Sequence, residues 1–469
     1  MFIKQLYTGC LSEAAYYIES NGEAAIIDPL RDIDPYLELA NERKAQIKYI
    51  FETHFHADFV SGHLDLSNAT AAPVIYGPLT ETKLPVHIAK DGEKFQLGEL
   101  TIEVLHTPGH TLESTCYLLK DKNGKSHCVF TGDTLFVGDV GRPDLAQKGN
   151  EITTNDLAGM MYESLHTKLF PLADDVLVYP AHGPGSACGK NLGPSTFSTI
   201  GEEKRTNYAM KAATKEEFIK SVTEGISAPP QYFPINAKIN KEGYESLDAV
   251  LKEGLKALSV DEFKNLMDKE VIILDTRHAE KFTSGFVPGS FSIGLEGRFA
   301  EWAGSLLPFD RTILLVTEPG KEKESVVRLA RVGFNKMSGY LDGGFEAWKH
   351  AGEPIDMIVD IEADELIMDL PHDKNLVVLD VRKPAEYADG HLKNAVNLPL
   401  DDLTDPGNMG DIEEHHNLYV HCAGGYRSVI AASMLKRQGI HNLRNVLGGW
   451  NKIKAIEVAE IVKETPMLN

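Results

Sequence analysis

The chain has 469 residues, a length that exceeds one hydrophobic core and predicts about three domains. Its 42% hydrophobic and 25% charged residues are typical of a globular protein. The net charge of −22 argues against nucleic acid as a partner and against binding to anionic lipid, because both would require clustered Lys and Arg side chains.

The cysteines do not form a disulfide framework. They are scattered along the chain, odd in number and without a pairing pattern: Cys10, Cys116, Cys128, Cys188 and Cys422. This usage fits a reducing compartment. Residues 1–8 lack the apolar stretch of a signal peptide, and no apolar run of about 18 residues predicts a membrane span. We therefore expect a cytoplasmic enzyme.

Residues 1–245 alternate short apolar runs with polar loops and form the first predicted domain. Buried strands are predicted over residues 24–28, 49–51, 100–105, 128–130 and 176–179. The last four strands run into polar clusters that contain His54, His110, Asp133 and His182 respectively. Polar side chains on loops at the ends of buried strands are where α/β enzymes place their chemistry.

Histidine and aspartate residues at these strand ends form a candidate metal site: His54, His56, Asp58, His110, Asp133 and His182. Their order and neighbours resemble the metallo-β-lactamase superfamily, which implies an αββα sandwich. Dinuclear hydrolases of that superfamily carry a second histidine where this chain has Phe59, which cannot ligate. A second metal would be left with Asp58, Asp133 and His182, so a single ion is favoured.

The single ion would be bound by two imidazoles and one carboxylate, from His54, His110 and Asp133. This donor set leaves coordination positions open, and it suits Fe(II) with O₂ as well as Zn(II) in hydrolysis. The residues alone do not distinguish between the two metals.

Three stretches resemble the persulfide dioxygenase branch of the superfamily: residues 53–58, 138–144 and 181–190. The resemblance implies one Fe(II) per subunit, held by His54, His110 and Asp133, and the oxidation of a thiol persulfide by O₂ to sulfite and thiol. It places the remaining candidates, His56, Asp58 and His182, in the surrounding polar shell or in a second metal site. Arg142 is a candidate contact for a substrate carboxylate or a structural support of the site, and Cys188 is a candidate lining residue of the substrate channel.

The remainder of the chain is a tandem repeat. Leu-Asp-Thr-Arg at 274–277 is echoed by Leu-Asp-Val-Arg at 379–382, and Gly-Gly-Phe at 343–345 by Gly-Gly-Trp at 448–450, both 105 residues further along. Two landmarks at one spacing predict two copies of a small domain, over 256–355 and 360–469. Apolar runs alternate with helical patterns such as 429–438, which predicts parallel α/β sheets.

Cys422 lies between a strand-like run and a helix predicted to begin near Ser428. The loop over 422–427, which contains Ala423, Gly424, Gly425, Tyr426 and Arg427, is predicted to direct backbone N–H groups at the sulfur. Together with the positive end of the helix, these groups would stabilise a thiolate or a persulfide. Arg427 would favour an anionic donor or acceptor. With its two landmarks, the second copy resembles a rhodanese domain, and cysteine phosphatases of that fold use a longer loop.

The first copy contains no cysteine. Its equivalent strand end reads Thr-Glu-Pro-Gly-Lys-Glu at 317–322, where a carboxylate and a proline replace the nucleophile and an N–H donor. We expect this copy to be catalytically inactive and to act as a spacer or an oligomerisation surface.

Over nearly its whole length the chain resembles the persulfide dioxygenase–sulfurtransferase fusions of bacterial sulfide detoxification. The resemblance implies a homo-oligomer that uses glutathione, coenzyme A or bacillithiol persulfide with O₂, and that forms thiosulfate from sulfite through Cys422. Two alternatives remain: a zinc thioester hydrolase resembling glyoxalase II, and a sulfur carrier in which Cys422 holds persulfide for a partner protein.

Overall fold

The structure is a computed structural model that describes residues 1–147, 151–226, 228–267, 270–410, 412 and 415–464. Contacts divide the chain into two compact units, Met1–Ala249 with Leu329–Gly333, and Val250–Arg328 with Phe334–Asn469. The boundaries predicted at 1–245, 256–355 and 360–469 remain predictions, and residues 465–469 lie outside the described part. Among the described helices, none is long and apolar enough to cross a membrane.

The first unit contains two sheets. One has its strands in the order β1 (Phe2–Thr8), β2 (Glu13–Ser20), β3 (Glu23–Ile27), β4 (Gln46–Phe51), β5 (Val74–Tyr76) and β6 (His87–Ile88). In the other sheet, strands that are consecutive in the sequence are also neighbours: β7 (Lys94–Leu97), β8 (Leu100–His106), β9 (Thr115–Lys120), β10 (Ser126–Gly132), β11 (Leu177–Pro180) and β12 (Ser198–Thr199). The predicted strands at 24–28, 49–51, 100–105, 128–130 and 176–179 coincide with β3, β4, β8, β10 and β11 to within three residues.

The helices along this part of the chain are α1 (Asp34–Arg43), α2 (His63–Thr70), α3 (Thr154–Ser164), α4 (Ile200–Thr206), α5 (Lys215–Thr223), α6 (Phe233–Glu242) and α7 (Leu247–Gly254). A π-helical turn at Leu165–Leu169 follows α3. The two sheets pack face to face, with the ring of Tyr16 4.9 Å from that of Phe130 and the ring of Phe51 4.8 Å from that of Tyr117.

Helices cover the outer faces of both sheets. Residues of β2 alternate between the two faces of their sheet: Tyr16 enters the core between the sheets, and Tyr17 faces the helix α1. On the outer face of the other sheet, Met161 of α3 and Phe218 of α5 are fully buried. The predicted αββα sandwich is confirmed.

The second unit contains the two repeats. Strands of the first are β13 (Ala257–Leu258), β14 (Val271–Asp275), β15 (Phe291–Ser292), β16 (Thr312–Val316) and β17 (Met337–Leu341). Strands of the second are β18 (Val359–Ile361), β19 (Leu376–Asp380), β20 (His391–Leu392), β21 (Val396–Asn397), β22 (Asn417–His421), β23 (Leu443–Val446) and β24 (Ile461–Val462).

The helices of the first repeat are α8 (Val260–Leu266), α9 (Ala279–Thr283), α10 (Phe299–Leu306), α11 (Glu322–Arg331) and α12 (Gly344–His350). Those of the second are α13 (Ala363–Asp369), α14 (Pro384–Ala388), α15 (Tyr426–Arg437) and α16 (Gly449–Ile453), with 3₁₀ turns at Leu400–Thr404 and Pro406–Met409. The main sheets have the equivalent orders β13-β17-β16-β14-β15 and β18-β23-β22-β19-β21, and their strands are parallel as predicted.

The two sequence landmarks of each repeat are in contact. In the second repeat, Arg382 pairs with Asp380 at 2.9 and 2.5 Å, and its guanidinium lies 4.5 Å from the centre of the Trp450 ring. In the first repeat, Arg277 pairs with Asp275 and lies 4.4 Å from the ring of Phe345. Both repeats therefore contain the same buried arrangement, an ion pair beneath an aromatic ring, which explains why both landmarks recur at one spacing.

Candidate functional site

Three of the predicted metal ligands converge in the first unit. His54 follows β4, His110 follows β8, and Asp133 follows β10, and each is at most 2% exposed. The Nε2 atoms of His54 and His110 lie 3.9 and 3.4 Å from Asp133 Oδ2. The donor atoms of all three lie within 4.8 Å of one another, which is close enough to bind one ion.

Hydrogen bonds at Nδ1 orient both imidazoles. His54 Nδ1 lies 3.0 Å from the Thr53 hydroxyl, and His110 Nδ1 donates to the Arg142 carbonyl at 2.9 Å. The Nε2 of His110 and both carboxylate oxygens of Asp133 are buried and have no hydrogen-bond partner among the described residues. A ligating histidine commonly has its other ring nitrogen held in this way, so the residues fit a divalent transition-metal ion.

The protonation state of His54 suits metal binding. Burial lowers its pKa well below the ordinary value, and the neighbouring imidazoles of His56, His110 and His182 lower it further. The neutral imidazole is the form that ligates a metal.

Two glycines allow the strand ends to approach closely. Gly132 has φ +51°, and a Cβ there would lie 2.6 Å from the Thr53 side chain. A Cβ on Gly141 would lie 2.0 Å from the Asp133 carbonyl oxygen and 2.9 Å from His110 Nδ1. Any side chain at Gly141 would therefore displace the metal-binding set.

The other predicted donors form an adjacent group of His56, Asp58 and His182, whose donor atoms also lie within 4.8 Å of one another. His182 Nε2 is 3.3 Å from Asp58 Oδ2 and 3.5 Å from Asp133 Oδ1. The Phe59 ring is fully buried and lies 4.3 Å from the His56 ring. Apolar packing thus occupies the position of the second-metal histidine, and the role of this group stays a prediction.

The two candidate substrate contacts lie beside this centre. Arg142 is buried, pairs with Asp144 at 2.7 and 2.8 Å and donates to the Ala187 carbonyl. These bonds are typical of a residue that supports neighbouring loops structurally. It also lines a cavity of about 80 Å³.

The Cys188 donor atom lies within 4.8 Å of those of Asp133 and His182. Burial raises the pKa of the Cys188 thiol well above its ordinary value. Contact of either residue with substrate remains a prediction.

The loop around Cys422 joins β22 to α15. The Gly425 N–H donates to Cys422 Sγ at 3.1 Å, and the Ser428 hydroxyl lies 3.7 Å from the same sulfur. Ser428 in turn donates to Asn445 Oδ1 at 2.6 Å. The helix begins at Tyr426, two residues before its predicted start near Ser428, because Gly425 at φ +112° forms the N-cap. The helix therefore begins closer to the sulfur than predicted, where its N-terminus would stabilise an anion.

Arg427 has a carboxylate partner that the sequence analysis missed. Its guanidinium makes two hydrogen bonds with Glu386, at 2.6 and 2.8 Å, and this arginine lowers the pKa of that glutamate. Part of its charge is therefore neutralised. Its predicted role toward anionic substrates remains a prediction.

The strand register corrects one prediction about the first repeat. Asp275 pairs with Val316 as Asp380 pairs with His421, so that Thr317, and not a carboxylate, stands at the position of Cys422. The Gly320 N–H, equivalent to the one that reaches the sulfur, donates to Glu322 Oε1 at 3.1 Å. The first repeat thus has threonine in place of Cys422, and the N–H group equivalent to the one that reaches the Cys422 sulfur is bonded to a carboxylate instead.

A cavity of about 230 Å³ lies over the Cys422 loop, and both repeats line it. The second repeat contributes residues such as Gly424, Gly425 and Asn445, and the first contributes His278 and Glu296. The hydroxyl of Tyr426 donates to the Gly294 carbonyl of the first repeat at 2.8 Å. The cysteine-free repeat therefore forms one wall of the cavity beside the Gly424–Tyr426 part of the Cys422 loop.

Sequence reasoning missed Asp28, Glu52 and His63, which form a buried group with the predicted His56 beside the metal-binding set. Burial would lower the pKa of His56, but the carboxylates of Asp28, Glu52 and Asp58 outweigh it and raise that pKa to about 10. One sequence feature could have indicated this group: Asp28 and Glu52 stand at the ends of buried strands, as the predicted metal ligands do.

Comparisons with known proteins agree with the two halves of this description. The family model of the Metallo-beta-lactamase superfamily matches residues 8–182, and that of the Rhodanese-like domain matches residues 259–351 and 362–456. A crystal structure of a metallo-beta-lactamase from Staphylococcus aureus subsp. aureus COL has a TM-score of 0.65 and 31% identity. The match covers 72% of this chain and 98% of that chain.

Two curated relatives match the first half. The mitochondrial persulfide dioxygenase of Homo sapiens is 31% identical over 200 residues, which are 42% of this chain and 70% of that protein. The cytoplasmic hydroxyacylglutathione hydrolase of Arabidopsis thaliana is 32% identical over 185 residues, 38% of this chain and 67% of that protein.

The chain belongs to the metallo-beta-lactamase superfamily, and its metallo-beta-lactamase domain is followed by two rhodanese-like domains, an order that fits a persulfide dioxygenase–rhodanese fusion. It is an enzyme that combines a fold of metal-binding hydrolases and dioxygenases with sulfurtransferase domains.

Proposed function

We propose that the protein oxidises a low-molecular-weight thiol persulfide with O₂ and forms thiosulfate from the resulting sulfite through Cys422. The first reaction is RSSH + O₂ + H₂O → RSH + SO₃²⁻ + 2H⁺. The observation that carries the proposal is the buried convergence of His54, His110 and Asp133 on a chain that also holds a cysteine in a sulfur-transfer loop.

His54, His110 and Asp133 would hold one Fe²⁺ per subunit, with Zn²⁺ as the alternative. Iron in such a site supplies the activation of O₂. The protein contributes orientation and exclusion of water: Thr53 and the Arg142 carbonyl hold the two imidazoles, and burial keeps bulk solvent out. Because the thiol of Cys188 stays protonated, it does not add a competing anion beside the substrate sulfur.

At the second site, the Cys422 thiolate attacks the outer sulfur of a persulfide: Cys–S⁻ + RSSH → Cys–SS⁻ + RSH. The enzyme persulfide then gives that sulfur to sulfite: Cys–SS⁻ + SO₃²⁻ → Cys–S⁻ + S₂O₃²⁻. The Gly425 N–H and the N-terminus of α15 stabilise the anionic sulfur in both steps. Arg427 adds the positive charge that Glu386 does not neutralise.

The carrier thiol is proposed to be glutathione, coenzyme A or bacillithiol, with Arg142 as a contact for the carboxylate of glutathione or bacillithiol. We place the reaction in cytoplasmic sulfide detoxification, since an odd set of free cysteines fits a reducing compartment. The assembly is proposed to be a homo-oligomer, which analytical ultracentrifugation tests.

Glutathione persulfide supplied to a Cys422→Ser variant tests the coupling. The variant is expected to consume O₂ at the wild-type rate while sulfite replaces thiosulfate as the product. Cys10→Ser, a cysteine outside both sites, serves as the matched control and should form thiosulfate normally. Thiosulfate output from Cys422→Ser equal to that of wild type would refute the proposal.

A zinc-dependent thioester hydrolase is the second candidate. It is favoured by the similarity to hydroxyacylglutathione hydrolases and by the convergence of His56, Asp58 and His182, which provides donors for a second metal. A zinc-loaded protein that hydrolyses S-lactoylglutathione and consumes no O₂ with persulfide would select this candidate.

A further inference from the structure

A chain of hydrogen bonds leads from the Cys422 sulfur to the first repeat. Ser428 Oγ lies 3.7 Å from Cys422 Sγ and 2.6 Å from Asn445 Oδ1, and Asn445 Nδ2 lies 2.7 Å from Asp360 Oδ1. The Thr283 hydroxyl of the first repeat donates to Asp360 Oδ2 at 2.6 Å. Cys422, Ser428, Asn445 and Thr283 are each at most 2% exposed. Bulk water therefore does not reach the bond between Ser428 and Asn445.

The carboxylate of Asp360 sets the direction of these bonds. An ionised carboxylate only accepts hydrogen bonds, so Asn445 directs its NH₂ group at Asp360 and its carbonyl oxygen at Ser428. Because that oxygen also only accepts, the single hydroxyl hydrogen of Ser428 is donated to Asn445. Ser428 then presents an oxygen lone pair to the sulfur, and it accepts a hydrogen bond from the Cys422 thiol.

Held in this way, the Ser428 hydroxyl does not stabilise the sulfur anion. The Gly425 N–H donates to the sulfur at 3.1 Å, whereas Ser428 could donate only by breaking its short bond to Asn445. The Gly425 carbonyl, 3.1 Å from Ser428 Oγ, is a second acceptor for the same hydrogen. A thiolate that is less stabilised is the stronger nucleophile, since the intrinsic nucleophilicity of a thiolate rises with its basicity.

The pair of Asp360 and Asn445 belongs to the repeat that contains the cysteine. These two residues are partners on β18 and β23, and the equivalent partners on β13 and β17 of the first repeat are Ala257 and Tyr340. Alanine has no side-chain acceptor, so the first repeat cannot form this pair. The pair therefore accompanies the nucleophile and is not a requirement of the fold.

We propose that Asn445, oriented by Asp360, is a positioning residue for sulfur transfer at Cys422: it holds the hydroxyl hydrogen of Ser428 away from the sulfur and so keeps the sulfur anion reactive. This role rests on the sulfur transfer proposed above for Cys422. Because Thr283 holds the second oxygen of Asp360, the cysteine-free repeat contributes to the arrangement.

Alkylation of Cys422 by iodoacetamide tests this role, with the rate followed against pH in the full-length protein by mass spectrometry of the Cys422 peptide. Asn445→Leu removes the acceptor, keeps a branched side chain of similar shape and leaves the charge of Asp360 in place. The released Ser428 hydroxyl would then donate to the sulfur anion, which forms a stronger hydrogen bond than the Gly425 carbonyl. A hydrogen bond to a charged group raises the thiolate population by about 10-fold, and the accompanying loss of nucleophilicity is about 3-fold.

Alkylation of Asn445→Leu is therefore expected to be about 3-fold faster than that of wild type below the midpoint of the pH profile, and about 3-fold slower on the high-pH plateau. A loosened loop would instead weaken the bond from the Gly425 N–H and slow alkylation below the midpoint. Tyr340→Leu, the matched substitution in the first repeat, should give the wild-type profile. An unchanged profile for Asn445→Leu, or slower alkylation below the midpoint, would overturn the proposal.

Removal of the hydroxyl separates positioning from other effects. Ser428→Ala and the double variant Ser428→Ala/Asn445→Leu should have the same profile, because Asn445 acts through Ser428. A difference between these two proteins would refute the role of Asn445. The charged neighbours of the loop, Arg427 and Glu386, are the same in every variant.

Asp360→Asn gives a second test that does not depend on the folding of Asn445→Leu. It allows the Asn445 amide to turn over, so alkylation should change in the same direction, and the change should vanish in the Ser428→Ala background, which excludes a direct effect of the lost charge. A change that persists in that background would contradict the proposal. Alkylation requires neither persulfide nor O₂. Wild-type protein that forms no thiocyanate from persulfide and cyanide would refute the sulfur transfer itself, so the two failures are distinguishable.

Discussion

Gly449 is expected to control the position of Cys422, the proposed sulfur-transfer cysteine. It has φ +51°, and a Cβ there would lie 2.2 Å from the carbonyl oxygen of Cys422. The Trp450 N–H donates to that same carbonyl at 2.7 Å, so the Gly-Gly-Trp segment directly supports the loop.

The magnitude of Gly449→Ala follows from this geometry. A left-handed alanine costs about 1–2 kcal/mol. Because an ordinary carbon–oxygen contact is about 3.3 Å, the Cys422 backbone must also move by about 1 Å. A displacement of that size at a reacting group lowers the rate by about 100-fold. The assay is sulfur transfer from glutathione persulfide to cyanide, followed as thiocyanate.

The first repeat provides a matched control. Gly344 occupies the equivalent position with φ +60°, and a Cβ there would lie 2.9 Å from the Thr317 carbonyl oxygen. Gly344→Ala should cost a similar backbone strain, about 1–2 kcal/mol, and leave sulfur transfer near the wild-type rate. If Gly449→Ala keeps normal transfer at a stability equal to that of Gly344→Ala, the reasoning is refuted.

Two further predictions concern the metal set and the Arg427 ion pair. Gly141→Ala should lower metal content by at least about 10-fold, because its Cβ would displace Asp133 and His110, and unchanged metal content would contradict this account. Glu386→Gln should destabilise the fold by less than about 1 kcal/mol at neutral pH, since Glu386 is 37% exposed. The pKa of Glu386 is lower in the folded protein than in the unfolded chain, so the pair stabilises the fold above the unfolded-chain pKa and loses this contribution as the pH falls through the folded value. Urea unfolding should show the difference at pH 7 and no difference in strong acid, and a pH-independent difference would contradict the assignment.

The predicted metal donors could be recognised from the sequence because local information marks them. Buried strands appear as unbroken apolar runs, and the reactive side chains follow each run directly, as His54 follows β4 and Asp133 follows β10. The repeat landmarks were equally visible, since one buried ion pair beneath one aromatic ring imposes the same residues twice.

Contacts between distant segments could not be predicted in this way. Glu386 meets Arg427 across 41 residues, and His63 approaches Glu52 only because α2 packs behind β4. No periodicity marks such pairs. The alignment of Thr317 with Cys422 was misjudged for a related reason: the strand register, and not the loop composition, decides which residue takes the nucleophile position.

Oxygen consumption by freshly purified, anaerobically handled protein, with metal content determined in the same sample, tests the central claim most directly. The account predicts iron in the protein and about one O₂ consumed for each persulfide converted to sulfite, with both lost in Asp133→Asn. Zinc without iron, no oxygen consumption and rapid hydrolysis of S-lactoylglutathione would contradict it.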